Sequence, residues 1–266
     1  MVEDACVTDL ASRPRTGTQA VERAITVLRA VEATENGLGL TDITRHTGLS
    51  MSTSHRLARA LTEEGLLVQD PGSERYQLGP ALIVLGRKAE RRLGYRQALP
   101  LLEALAAVTG ESINLGIRAG NEVHVVLDVA SRQPLRFAQT SGSRVPLHVS
   151  AMGKCLLAHG DADLDEQIDQ LGELARATRR TITDRGRLRA ELDLVRERGW
   201  ALNDEERNPG VRAIAAPVLH EGDVVGAIAI QGPAVRLTDD RLPELATHLH
   251  TTAARIAPLL AAAPDL

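Results

Sequence analysis

The stretch Leu40-Thr41-Asp42-Ile43-Thr44-Arg45-His46-Thr47-Gly48, followed by Leu49-Ser50-Met51-Ser52-Thr53-Ser54-His55-Arg56-Leu57-Ala58-Arg59, decides the reading of the N-terminal fold. Thr41 suits a helix N-cap, Asp42 the positive end of the helix dipole, and Gly48 the left-handed residue that closes a helix. This first helix is barely two turns long. Leu49-Ser50 opens a second helix, expected from Met51 to Glu64 and stopped by Gly65. Two helices joined by a turn of about four residues with glycine at the corner make a helix-turn-helix pattern.

The flanks agree with that pattern. Upstream, Gln19 to Glu32 carries a helical period, with Val21, Ala24, Leu28 and Val31 on one face and Thr18 as its cap. Downstream, Leu66 to Gln69 and Arg75 to Leu78 read as two short strands around the turn Asp70-Pro71-Gly72-Ser73-Glu74. Such a hairpin is a wing. Gly79-Pro80 then starts another helix, since proline is favoured at the first helical position, and it runs to about Arg92.

The second half alternates strands and helices. Helices are expected at Leu99 to Val108, Ser150 to His159, Arg185 to Arg198 and Asp239 to Leu260. Strands are expected at Ser112 to Arg118, Glu122 to Val129 and Leu135 to Ala138, with a hairpin from Ala213 to Ile230 around Glu221-Gly222-Asp223. A mixed antiparallel sheet with helices implies an α+β, sensor-like domain.

Bulk composition narrows the classes. With 43% hydrophobic residues but only 2% aromatic, the cores must be built from aliphatic side chains. No apolar run approaches the roughly 20 residues that span a bilayer, and the N-terminus is polar, so a cytoplasmic protein is expected. The two cysteines, Cys6 and Cys155, are too few for a disulfide framework or a four-cysteine zinc site. No cofactor is expected, and the scattered histidines show no metal-ligand spacing. Charge is uneven: Arg13 to Arg92 carries twelve Lys or Arg against nine Asp or Glu, whereas Leu93 to Leu266 is net −4. A mildly basic module tied to an acidic one fits a nucleic-acid-binding part and a non-binding part.

On the helix from Met51, Ser54, Leu57, Ala58 and Leu61 share the packing face, leaving Ser52, Thr53, His55, Arg56 and Arg59 on the others. Ser50, Ser52 and Thr53 give a small, hydroxyl-rich first turn that can approach a groove wall and bind phosphate oxygens. Arg56, one turn deeper, is placed for a bidentate contact with guanine. Arg59, Arg75 of the wing and Arg45 are the expected backbone contacts.

Several spaced motifs then coincide. Ala20-Val21-Glu22-Arg23-Ala24, Leu40-Thr41-Asp42-Ile43, Thr53-Ser54-His55-Arg56-Leu57 and Arg75-Tyr76-Gln77-Leu78-Gly79 resemble the IclR family of bacterial regulators. The segments from Val145 to Ala158, from Gly199 to Glu206, from Gly210 to Val218 and from Ala227 to Pro233 resemble that family's effector domain. The resemblance covers about residues 18–260. It implies a winged helix-turn-helix (18–79), a linker helix that helps dimerise (80–95) and a GAF-like effector-binding domain (96–262), after a flexible tail (1–17). It also implies homodimers, or dimers of dimers, on palindromic operators in double-stranded DNA.

For the effector, the start of the helix at Ser150 is the expected grip. Ser150 caps, the N–H groups of Met152 and Gly153 point outward, and Gly153 lets a ligand approach the backbone. Leu135, Leu147 and Met152 are the expected apolar wall, with Ala151 beside them. These features suit a small organic acid. The resemblance adds Asp204, Ala213, Ala229 and Gln231 to the pocket. Asp204 either accepts a ligand hydroxyl or stands as one carboxylate of a solvated acidic loop. Ala213, Ala229 and Gln231 replace the cysteine and serines frequent in the family, which argues for a larger or more apolar acid than glyoxylate or pyruvate. The alternatives are a GAF-like enzyme, or a sensing module without operator binding. A Ser150-His148-Asp204 hydrolase is disfavoured, because Ser150 is wanted as a cap and no Gly-x-Ser-x-Gly elbow is present.

Overall fold

The computed structural model describes residues 16–261. The expected tail, 1–17, lies outside the described residues apart from Thr16 and Gly17, which open the first helix. The chain divides into two compact units, one ending at Ala89 and the other beginning at Glu90.

The first unit contains α1 (Thr16–Glu32), α2 (Leu40–Thr47), α3 (Met51–Glu63), β1 (Leu67–Gln69), β2 (Tyr76–Leu78) and most of α4 (Ala81–Arg92). Val27, Val31, Ile43, Ala58, Leu61 and Tyr76 form its core. β1 and β2 pair antiparallel as the wing, and Tyr76 also exchanges both backbone hydrogen bonds with Leu38. This bridge ties the wing to the α1–α2 loop.

Three local expectations change. Thr18 lies inside α1, which starts earlier. Val21 is 60% exposed, in a stretch from Thr18 to Glu22 that is exposed throughout. Gly39, not Thr41, caps α2, and it supplies no side-chain bond. Gly48 does close α2 in the left-handed conformation, and Ser50 caps α3.

The second unit is a six-stranded antiparallel sheet of order β5-β4-β3-β8-β7-β6. The strands are β3 (Ser112–Ala119), β4 (Glu122–Val129), β5 (Arg144–Pro146), β6 (Ala201–Asp204), β7 (Val211–His220) and β8 (Asp223–Pro233). The helices are α5 (Tyr95–Thr109), α6 (Ala151–Ala158), α7 (Leu164–Gln170), α8 (Arg185–Arg198) and α9 (Leu242–Ala261). Alternate residues of β7 and β8 bury to opposite faces. Ile214, Ala216, Ile228 and Ile230 pack with α5 and α9. Ala213, Ala215, Ala227 and Ala229 pack with α6 and α8. Large aliphatics fill the first face, and four alanines on the second leave room for α6 to lie close to the sheet.

Leu135 to Ala138 is not a strand. The carbonyl of Phe137 accepts from Ser112 Oγ and that of Gln139 from Asn114 Nδ2, so side chains of β3 satisfy this backbone in place of a ladder.

Candidate DNA-reading helix and ligand pocket

The packing face of α3 is as its sequence requires, with Ser54 and Ala58 fully buried and Leu61 nearly so. Ser52, His55, Arg56 and Arg59 are exposed. Ser50 Oγ accepts from Thr53 N–H at 3.3 Å and lies 2.9 Å from Thr53 Oγ1 and 3.2 Å from Ser52 Oγ. The hydroxyls are therefore gathered at one helix start. The arginines differ in freedom. Arg45 pairs with Asp42 at 2.6 Å and Arg59 with Glu63 at 2.8 Å, whereas Arg56 makes no ion pair among the described residues.

Arg75 is not the free wing cation expected from sequence. Its Nη2 donates to Gly37 O at 2.9 Å and its Nε to Asn36 O at 3.1 Å, with Asp42 at 3.9 Å. These bonds brace the α1–α2 loop against the wing and leave Nη1 unbonded among the described residues.

In the second unit, a small semi-enclosed cavity of about 20 Å³ sits where the start of α6 meets β6, β7 and β8. That is the room of one or two waters. Six of the residues expected at the ligand site line it: Ser150, Ala151, Met152, Ala213, Ala229 and Gln231. The strand register explains the last three, since Ala213 pairs with Gln231 and Ala215 with Ala229. Ser150 Oγ accepts from Gly153 N–H at 3.3 Å, so the amides left without intrahelical partners at the cavity are those of Ala151 and Met152.

Four expected residues lie elsewhere. Leu147 is fully buried in the core, and Leu135 is 65% exposed on the surface. Gly153 faces the Leu147 backbone, where an added Cβ would stand 2.2 Å from the carbonyl oxygen, so its missing side chain serves helix packing. Asp204 is neutralised by Arg180 and by Arg212, 2.8 Å away. It borders a separate arginine-rich cleft with Arg176, Arg179 and Arg187.

The cavity contains residues that the sequence reading missed. Arg207 and Asn208 enter from the β6–β7 loop, with Asn203 below them and Phe137 and Gln139 from the irregular segment opposite. Arg207 Nη1 donates to Gln139 Oε1 at 2.9 Å. Arg207 is half-buried, has no acidic partner within 4 Å among the described residues, and burial lowers its pKa. It remains charged, as a guanidinium does. Two buried atoms at the cavity, Gln139 Nε2 and Asn208 Oδ1, have no partner among the described residues. The available signal was Arg207 interrupting the acidic run Asp204-Glu205-Glu206 immediately before the turn Pro209-Gly210.

Catalytic thiol chemistry finds no support. Burial pushes the Cys155 thiol up to about 12, and its Sγ donates to Ala215 O. His148 Nε2 is engaged with Ala175 O, and Ser150 with its helix. No described helix is long and apolar enough to cross a membrane.

The comparisons agree with this layout. Residues 20–71 match the IclR helix-turn-helix domain, and residues 94–258 match the bacterial transcriptional regulator IclR C-terminal domain. The chain is 37% identical over 229 residues to the HTH-type transcriptional regulator BhcR of Paracoccus denitrificans, covering 85% of this chain and 81% of that one. It is 37% identical over 242 residues to the glycerol operon regulatory protein of Streptomyces griseus, covering 90% and 94%. A crystal structure of an IclR-type transcriptional regulator from Alicyclobacillus acidocaldarius superposes with a TM-score of 0.83 at 28% identity, covering 91% of this chain and 98% of that one. With both domains matched in order along its length, the chain belongs to the IclR family of DNA-binding transcription regulators.

Proposed function

We propose that the controlling ligand is a small organic carboxylate, held between Arg207 and the first turn of α6. The observation that carries this reading is a half-buried guanidinium at the cavity with no carboxylate of its own. A desolvated charge is costly until it is paired, so an anionic ligand gains what the protein leaves unspent. The free amides of Ala151 and Met152 and the helix dipole favour the same sign of charge. The 20 Å³ cavity must widen to admit an acid, which gives the ligand differential affinity for one arrangement of the domain. A thermal-shift panel of carboxylates and matched neutral amides tests this. Carboxylates stabilise the wild type, and Arg207→Gln weakens their binding at least tenfold. Stabilisation by the amides alone overturns it.

The chain acts in the cytoplasm as a homodimer, or a dimer of dimers, on a palindromic operator. Support comes from α4, where Ile83, Val84 and Leu85 are each more than half exposed. Three adjacent apolar side chains open to water are ordinarily covered by a partner. Two-fold symmetry in the protein then sets half-sites about one helical turn, or a multiple of it, apart. Sedimentation analysis of wild type and Leu85→Asp tests this. A wild-type monomer that binds its selected operator at full affinity refutes it.

A further inference from the structure

We infer that the acid this pocket selects bears a hydroxyl group, read jointly by Gln139 and Asn208. This rests on the carboxylate reading and narrows it.

Some polar atoms around the pocket are already occupied. Gln231 donates its side-chain N–H to Asn114 Oδ1, and Asn114 Nδ2 donates in turn to Gln139 O at 2.8 Å. Those two bonds hold the Gln231 and Asn114 amides in place beside the irregular segment. Arg207 can only donate, so its bond to Gln139 Oε1 fixes which way that amide faces and turns Nε2 away from the guanidinium. Gln139 is 9% exposed, and its Nε2 has no acceptor. Asn208 Oδ1, also at the cavity, has no donor. Buried polar atoms are nearly always paired, and leaving one unpaired is costly.

The two orphans are of opposite kind: a donor on Gln139 and an acceptor on Asn208. A hydroxyl serves both, since it donates one proton and accepts through its lone pairs. A keto oxygen accepts only and leaves Asn208 unpaired. An ammonium donates only, leaves Gln139 unpaired and is repelled by Arg207. With Arg207 taking the carboxylate, the complementary ligand is a hydroxycarboxylic acid. A site built to bond a hydroxyl rejects the analogue lacking it more strongly than an apolar pocket rejects a missing methylene.

The test measures dissociation constants by calorimetry on the full chain for matched pairs: lactate with propionate, 3-hydroxybutyrate with butyrate, and mandelate with phenylacetate. Pyruvate is the keto control. For the pair whose carbon skeleton fits, the hydroxy acid binds at least tenfold more tightly than its deoxy partner. Asn208→Ala reduces that ratio to below threefold while the deoxy acid keeps its affinity, and Gln139→Leu acts in the same direction. Melting curves without ligand verify that each variant is folded. If acids bind and depend on Arg207 but both members of every pair bind alike, the hydroxyl inference fails and the carboxylate reading stands. If Asn208→Ala weakens both members equally, the inference fails in the same way. If no acid of either kind binds, or binding ignores Arg207→Gln, both readings fall together.

Discussion

Lys154 Nζ lies 2.6 Å from Glu206 Oε1, and both side chains are shut away from water. Lys154 is on α6, whose first turn borders the pocket, and Glu206 directly precedes Arg207. The ion pair therefore fastens the helix to the loop that brings the guanidinium in. Glu191 of α8 stands 3.5 Å from the same ammonium and is itself paired with Arg198, which lies over the Trp200 ring. Removing one partner of a buried pair strands the other charge, at a cost of about 3–5 kcal/mol. Lys154→Met is expected to lower stability by that order, read as the urea midpoint of the second unit's transition. The double variant Lys154→Met/Glu206→Leu recovers most of the loss, because no charge is left unpaired. A double variant as unstable as the single one would show that the pair contributes more than mutual neutralisation.

Gly153 gives a second prediction, and it separates packing from ligand access. Adding a Cβ brings it 2.2 Å from Leu147 O and 2.5 Å from Leu147 Cα, both backbone atoms that cannot step aside. The roughly 1 kcal/mol gained in helix propensity is outweighed by overpacking of about 1–3 kcal/mol or more. Gly153→Ala is expected to lower the melting temperature with or without effector. A variant of unchanged stability that no longer answers the ligand would instead place Gly153 at the pocket.

These two sites show what a linear sequence carries. The helix-turn-helix was legible because its signals are local: Ser50, Gly48 and the spacing of Ser54, Ala58 and Leu61 all act within a few residues. The β7–β8 hairpin was legible from the turn Glu221-Gly222-Asp223 between two apolar runs. Leu135 to Ala138 misled because Ser112 and Asn114, about 25 residues earlier, take the carbonyls that a strand would have used. Ser150, Ala151 and Met152 could be read as a helix start, and they line the cavity. Arg207 and Gln139 meet only through the fold, 68 residues apart, and a basic residue after an acidic run does not by itself announce a pocket. The brace made by Arg75 was hidden for a related reason, since its carbonyl partners lie 38 and 39 residues upstream.

The two arginines of the first unit are expected to behave differently on DNA. Arg56 is exposed and without an ion pair, one turn into α3, so Arg56→Ala should cost about 1–3 kcal/mol and relax base preference at one operator position. Equal losses on operator and random duplex would make it a phosphate contact. Arg75→Ala removes the brace on Asn36 and Gly37, so it should destabilise the winged unit by about 1–3 kcal/mol. The slope of log affinity against log salt should stay the same. A slope reduced by about one would return Arg75 to the phosphate backbone.

Cys155 supplies the last prediction. Its thiol is fully buried on α6 and, by desolvation above all, is pushed up to about 12 from an ordinary value of 9.0. The reactive species is the thiolate, so at pH 8 the native thiol is both protonated and inaccessible. In a Cys6→Ser background, Ellman's reagent should find no reactive thiol in the folded protein and one per chain in guanidinium. The linkage has a definite sign. A folded value raised above the unfolded one contributes stability that is intact below pH 9 and is lost as pH climbs from about 9 toward 12, where only the unfolded chain readily releases the proton. Cys155→Ala should therefore show a shallower alkaline decline in its urea midpoint than the parent, although it starts lower because the cavity it leaves is unfilled. Rapid labelling at pH 8 without denaturant, or an alkaline decline as steep as the parent's, would mean that the thiol is not held protonated by burial.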